Sequence, residues 1–249
     1  MKRNRKLKEE YSAVTGVQPT GARKANNWAE SNGINSFKLS ASQQELVAKI
    51  NSHTITFVDS PAGTGKSLGS LYAFVKMYLK DPSKHIYIIR TPVEAGGLDK
   101  IGFLPNSLSE KIEPHFSSTK RLLEQLLSKG KVENDMDHRI FFKPPNFELG
   151  ATWDNSLVLI DEVQQMQPMI VKLLLERIGV NTKVVMAGDT SQLYATDASQ
   201  RNGLKDAIPR FFDKDDNPKY PDVSIHRFGV EDVMRSEIVK TVITAYRNI

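Results

Sequence analysis

Thr54-Ile-Thr-Phe-Val-Asp59-Ser60-Pro-Ala-Gly-Thr-Gly65-Lys66-Ser67 decides how the rest of this chain is read. An apolar, β-branched run leads into a glycine-bearing loop, and Lys-Ser then opens a helix. That order is the phosphate-binding loop of nucleoside-triphosphate proteins. Each residue type has a physical task. Gly63 and Gly65 let successive backbone N–H groups turn toward one point, and a helix over 66–80 aims the positive end of its dipole there. Ser60, Pro61, Ala62 and Thr64 complete the cradle. Lys66 brings a mobile cation to the β- and γ-phosphates, and the Ser67 hydroxyl is a candidate ligand for Mg2+. The loop departs from G-x-x-x-x-G-K-[ST] at Ser60, which stands where the first glycine is expected. If that position needs a positive φ, the serine is strained; otherwise it only ends the strand.

A second element points to the same chemistry. Leu157-Val-Leu-Ile160-Asp161-Glu162 is an apolar strand ending in two acids. The carboxyl end of a buried parallel strand opens onto the ligand crevice of an α/β sheet. Asp161 there joins Ser67 around Mg2+, and Glu162 is placed to orient and deprotonate the attacking water. Lys183-Val-Val-Met-Ala-Gly188-Asp189-Thr-Ser-Gln192 repeats the pattern. Its strand delivers Gln192 to the same edge, where an amide can bond both the γ-phosphate and the water.

Around these motifs the pattern is that of one α/β domain. It predicts helices over 42–50, 66–80, 109–129, 168–178 and 230–246. Strands are expected over 54–59, 85–90, 139–143, 156–162, 183–188 and 223–228. Strands alternating with helices give a mainly parallel sheet. Residues 91–108 read as irregular, Gly/Pro-punctuated chain.

The 249 residues carry a net charge of +5, and it is unevenly placed. Residues 1–27 hold seven Lys/Arg against two acids, which accounts for all of it. Residues 1–36 therefore read as a basic, flexible arm and 37–249 as the folded domain that carries the phosphate-binding loop. The arm is either a contact for nucleic-acid phosphates or a solvated tail. Trp28 and Tyr11 stack on bases or anchor the arm to the core. With no cysteine in the sequence, disulfides and thiolate metal sites are excluded. No apolar run reaches membrane-spanning length and no secretory signal is present, so a cytoplasmic protein without a membrane partner is expected. His85, His115, His138 and His226 lack metal-ligand spacing.

Seven blocks in order give the chain its resemblance to a known family. They are Pro61-Ala-Gly-Thr-Gly-Lys66-Ser67, Arg90-Thr-Pro-Val-Glu94-Ala-Gly96, Gly102-Phe-Leu-Pro105, Asp161-Glu162-Val163-Gln164, Arg177-Ile-Gly179, Gly188-Asp189-x-x-Gln192 and Asp232-Val-Met-Arg235. Over residues 40–248 the sequence resembles the PhoH-like P-loop ATPases, related to superfamily 1 helicases. The Arg90–Gly96 block followed by Gly-Phe-Leu-Pro is the most specific part. The resemblance implies a RecA-like core with a parallel sheet flanked by helices, ATP and Mg2+ as cofactors, and a homo-oligomeric ring, commonly a hexamer. It implies that Gln43 reads adenine, that Gln164 couples the nucleotide to a second site, and that Arg235 acts as an arginine finger on a neighbouring subunit. Thr91 interrupts the family's arginine-proline pair. No ribonuclease domain is expected after the last helix, and stand-alone versions of this length resemble those encoded by bacteriophages.

The reading that follows is a Mg-dependent ATPase acting as a motor or switch on single-stranded RNA or DNA, with 90–105 as the contact region. A ring that recruits a protein partner with little turnover is the alternative. A small-molecule kinase is a third reading, disfavoured by the water-activating position of Glu162.

Overall fold

The computed structural model describes residues 33–91, 108–192 and 202–247. Its strands are β1 (Ile55–Asp59), β2 (His85–Arg90), β3 (Ile140–Lys143), β4 (Ser156–Asp161), β5 (Lys183–Gly188) and β6 (Val223–Arg227). Its helices are α1 (Ala41–Ser52), α2 (Lys66–Lys80), α3 (Leu108–Leu127), α4 (Lys129–Asp135), α5 (Pro168–Leu175), α6 (Gly203–Phe211) and α7 (Glu237–Arg247). All six strands pair in parallel, in the order β3-β2-β4-β5-β1-β6. Sequential β1 and β2 are thus separated by β5 and β4. The crevice of a doubly wound sheet lies at such a switch, outside the carboxyl ends of the strands.

Alternation along each strand builds two cores. Leu157 and Leu159 of β4 and Val185 and Ala187 of β5 face the side covered by α1, α2 and α3, with Leu46, Leu71, Phe74, Tyr78 and Leu123. Val158, Ile160, Val184 and Met186 face the opposite side, with Trp153, Val171, Leu174, Leu204 and Phe212. Central strands buried on both faces read as unbroken apolar runs, as these do. Each fully buried aliphatic or aromatic side chain contributes roughly 1.5–3 kcal/mol. The strand tips are consequently held by strands buried on both faces.

The register fixes what sits at those tips. Asp59 lies opposite Gly188 on one side and Arg227 on the other. Arg90 lies opposite Asp161.

Several expected boundaries move, each for a local reason. The strand expected over 156–162 stops at Asp161 because Glu162 turns into the left-handed region, φ 56° and ψ 41°. The final helix starts at Glu237, not at 230. The preceding backbone is used elsewhere: Met234 N–H donates to the Gly63 carbonyl at 3.0 Å, and Gly229 N–H donates to Asp232 Oδ2 at 2.9 Å. Helix α5 stops at Leu175, short of the expected 178. Helix α4 continues beyond the expected end at 129 after a new cap by Ser128, and α6 has no counterpart among the expected helices. A glycine at its start and Pro209 inside it disguise α6, which Asn202 caps by accepting from Lys205 N–H at 2.9 Å. The turn Ile34–Ser36, assigned to the arm, packs Ile34 into the first core. The rest of the arm, with Tyr11 and Trp28, lies outside the described residues, as do positions 92–107. Among the described residues no helix is long and apolar enough to cross a membrane.

Candidate active site

The loop from Ser60 to Gly65 connects β1 to α2. Its left-handed residues are Gly63, φ 88°, and Gly65, φ 83°. Ser60 is not among the positive-φ residues, so the missing first glycine carries no backbone strain. Ser60 is buried instead. Its N–H donates to the Gly188 carbonyl at 2.9 Å, its hydroxyl donates to the Pro61 carbonyl at 2.9 Å, and it also bonds the Thr64 hydroxyl. The serine and threonine hydroxyls thus tie the loop from inside. Ala62 is exposed, while Gly63, Gly65, Lys66 and Ser67 are half-buried along the crevice. Gly65 is the N-cap of α2, and no side chain caps that helix. An uncapped helix start of this kind presents free N–H donors and a partial positive charge to an anion.

Gln43 holds this loop from behind. Its side chain is fully buried; Oε1 accepts from Ser40 N–H at 3.1 Å and Nε2 donates to the Thr64 carbonyl at 3.0 Å. A Cβ on Gly65 would lie 2.3 Å from that Nε2. In this structure that amide closes a capping box for α1 and braces the loop.

The tip of β4 faces the start of α2. Ser67 Oγ lies 3.5 Å from Asp161 Oδ2. Asp161 is buried, and burial raises its carboxyl above the usual range, helped by the neighbouring charge of Glu162; the cations Lys66 and Arg90 act in the opposite sense. The oxygens of octahedral Mg2+ sit at about 2.1 Å from the ion, roughly 3 Å from each neighbour. The Ser67–Asp161 spacing fits two adjacent ligands after a small shift. Among the described residues no group of three or more His, Asp or Glu side chains forms a separate metal site.

Glu162 sits immediately outside, with its N–H donating to Asp161 Oδ1 at 3.0 Å. A non-glycine residue in left-handed backbone costs about 1–3 kcal/mol and persists only where the surroundings over-determine it. The surroundings here are specific. Gln164 Nε2 donates to Glu162 Oε2 at 2.6 Å, and an Arg90 guanidinium nitrogen lies 3.6 Å from Oε1. The same Gln164 nitrogen lies 3.4 Å from Gln192 Oε1, while Gln164 Oε1 accepts from Asp189 N–H at 3.2 Å. Gln164 therefore joins the β4 and β5 tips and lines up Glu162 with Gln192.

Arg235 approaches from the segment before α7. It is exposed, and its stem crosses the loop of its own chain: a Cβ on Gly63 would meet Arg235 Nε at 2.9 Å. All the site residues read from the sequence are thus grouped at one sheet edge. Three further contributors receive no site role from the sequence: Arg90, which pairs with Glu162 although it also opens a family block, Asp59 and Asn202. An acid ending an otherwise apolar strand is the signal that marks Asp59.

The profile of the family described as PhoH-like protein matches residues 37–247. The chain belongs to the PhoH-like family. This family member is similar to the PhoH-like protein of Synechocystis sp., 30% identical over 207 residues that cover 82% of this chain and 60% of the relative. It is similar to the PhoH-like protein of Bacillus subtilis, 30% identical over 205 residues, 82% of this chain and 61% of the relative. Protein PhoH of Escherichia coli is 28% identical over 249 residues, 98% of this chain and 68% of the relative. The chain spans about 60% of the length of the first two. Among solved structures it is similar to the large terminase from a thermophilic bacteriophage in complex with ADP, with TM-score 0.47 and 12% identity over 83% of this chain and 50% of that one. It is also similar to the Pif1 helicase from Candida albicans, with TM-score 0.38 and 12% identity over 77% of this chain and 40% of that one. Among the described residues the PhoH-like domain is the P-loop α/β fold expected from the motifs, a parallel six-stranded sheet flanked by helices.

Proposed function

We propose that this PhoH-like domain binds ATP with Mg2+ and hydrolyses it by in-line attack of water on the γ-phosphate. The observation that carries the reading is the meeting of two strand tips: Ser67 Oγ 3.5 Å from Asp161 Oδ2, with the left-handed Glu162 beside them. The loop amides of 63–67 and the Lys66 ammonium bind the phosphates. Ser67 and Asp161 hold the metal. When bound, the ion neutralises charge on the phosphate oxygens and favours the ionised form of Asp161. Glu162 takes the proton of the attacking water. Gln164 and Arg90 fix the direction of its carboxylate, and Gln192 orients the water from the β5 side. Positioning and charge stabilisation of this kind make up most of the catalysis in phosphoryl transfer.

Arg235 is the mobile cation for transition-state charge in this proposal. Its stem over Gly63 of the same chain favours action on its own phosphates. Family resemblance favours a ring in which it serves a neighbour. Mixing Arg235→Ala with Glu162→Gln chains separates the two: restored turnover assigns the arginine to the adjoining subunit, and an inactive mixture assigns it to its own.

Coupling to single-stranded RNA or DNA is the further part of the proposal. The seven cations among residues 1–27 support it. Hydrolysis should be Mg-dependent, abolished in Lys66→Ala, and stimulated by single-stranded nucleic acid, with stimulation falling as salt rises. Turnover indifferent to every RNA and DNA tested would instead support a nucleotide-gated module for a protein partner.

A further inference from the structure

Asp59 is the last residue of β1, directly before the phosphate loop, and it is buried. A buried carboxylate requires partners that compensate its desolvation. Those of Asp59 belong to the neighbouring strand tips. Oδ1 accepts from Thr190 N–H at 2.9 Å, and Oδ2 accepts from the Thr190 hydroxyl at 2.8 Å and from the Arg227 guanidinium. Arg227 is itself fixed by a two-pronged pair with Asp216, at 2.5 and 2.9 Å.

Thr190 lies two residues before Gln192. From the other side, the Asn202 amide donates toward the carbonyls of Asp189 at 3.3 Å and Gln192 at 3.2 Å. The turn carrying Gln192 is thus gripped between Asp59 and Asn202. Next to the grip, Ser60 N–H is bonded to the Gly188 carbonyl, so the root of the phosphate loop and the root of this turn are fastened together. Bonds then run from Asp59 through Thr190 and the backbone to Gln192, and from Gln192 through Gln164 to Glu162.

We infer that Asp59 is a positioning residue: through Thr190 it sets the Gln192 turn relative to the phosphate loop, and so governs how Gln192 and Glu162 face the attacking water. The inference rests on the hydrolytic reading of the same site. It assigns Asp59 no contact with nucleotide, so its removal should act on turnover and not on binding.

The test measures steady-state hydrolysis, affinity for a fluorescent ATP analogue and thermal stability in Asp59→Asn, Thr190→Val and Thr190→Ser. Loss of an outer hydrogen-bond partner typically costs about 10-fold or more in activity. Asp59→Asn and Thr190→Val should lower kcat about 10-fold with KM and nucleotide affinity within about 2-fold of the original, whereas Thr190→Ser, which keeps the hydroxyl, should restore turnover. In a Gln192→Ala background, Asp59→Asn should add almost nothing, because residues acting in one chain are non-additive. Full additivity, or kcat and affinity falling together with stability, overturns the inference. A second measurement does not depend on turnover: hydrogen exchange at the Thr190 and Gln192 amides should accelerate in Asp59→Ala. If the unmutated protein binds Mg-ATP without hydrolysing it, the hydrolytic reading fails while the exchange result still decides whether Asp59 holds the turn. Unchanged exchange there rejects the holding role itself.

Discussion

The loop after β1 and the corner after β4 both pass through left-handed backbone at the same sheet edge. The first does so with Gly63 and Gly65, φ 88° and 83°; the second does so with Glu162, φ 56°. Glycine reaches that region without steric cost and leaves bare amides for a phosphate. Glu162 reaches it only with strain, and the strain aims a carboxylate that glycine lacks. One corner is built to let a ligand approach the backbone, the other to present a side chain. This division suits the proposed chemistry: binding an anion needs donors at close range, whereas the hydrolysis we propose needs a base at a fixed angle.

Substitutions at each corner separate the two roles. The largest effect is expected at Glu162→Gln, which keeps the shape and removes the proposed base. Hydrolysis should fall at least ~100-fold, the lower end for loss of general-base catalysis, with ATP affinity unchanged in a binding titration. Next comes Gly65→Ala. Its Cβ would lie 2.3 Å from Gln43 Nε2 at a φ of 83°. Backbone strain and displacement of the Gln43 brace together are expected to cost up to about 3 kcal/mol, or roughly 100-fold in nucleotide affinity by equilibrium titration. A smaller and opposite effect sharpens the contrast: Glu162→Gly should lose turnover as Glu162→Gln does, yet raise stability by about 0.5–1 kcal/mol in denaturant unfolding, because the left-handed strain is released. The smallest belongs to Ser60→Gly, which restores the family-type loop. Since Ser60 does not occupy a positive φ, the glycine brings no relief. It removes the hydroxyl bonds inside the loop, and stability should fall by about 0.5–1 kcal/mol with affinity little changed.

Much of this edge is legible in the sequence because its elements are local. The strand Ile55–Asp59, the two glycines and Lys66-Ser67 form one continuous stretch, and Leu157–Glu162 marks a buried strand by composition alone. What the sequence leaves open is how separate stretches meet. The register that sets Arg90 opposite Asp161 involves strands about seventy residues apart. That placement, not any local pattern, gives Glu162 its cationic partner. Gln43 shows the converse. The resemblance gives it a role toward adenine; what the fold adds is a capping box and, announced by no local pattern, a bond to the Thr64 carbonyl. Helix α6 escapes a local reading because Gly203 and Pro209 are helix-disfavouring, while its stability comes from Leu204, Ala207 and Ile208 packed on the second core and from the Asn202 cap. The pattern places the start of α7 too early because the apolar Val230, Val233 and Met234 continue it. The bond from Met234 N–H to the Gly63 carbonyl and the Arg235 stem over Gly63 tie this backbone to the loop.

In the proposed mechanism one metal–triphosphate lies between the loop after β1 and Asp161 after β4. Calorimetric titration of ATP, with Mg2+ and with EDTA, into the unmutated protein and Asp161→Asn tests this most directly. Mg2+ should tighten binding at least ~10-fold in the unmutated protein, and Asp161→Asn should lose most of that gain while still binding ATP. Absence of heat with Mg-ATP, or an undiminished Mg2+ effect in Asp161→Asn, would contradict the account.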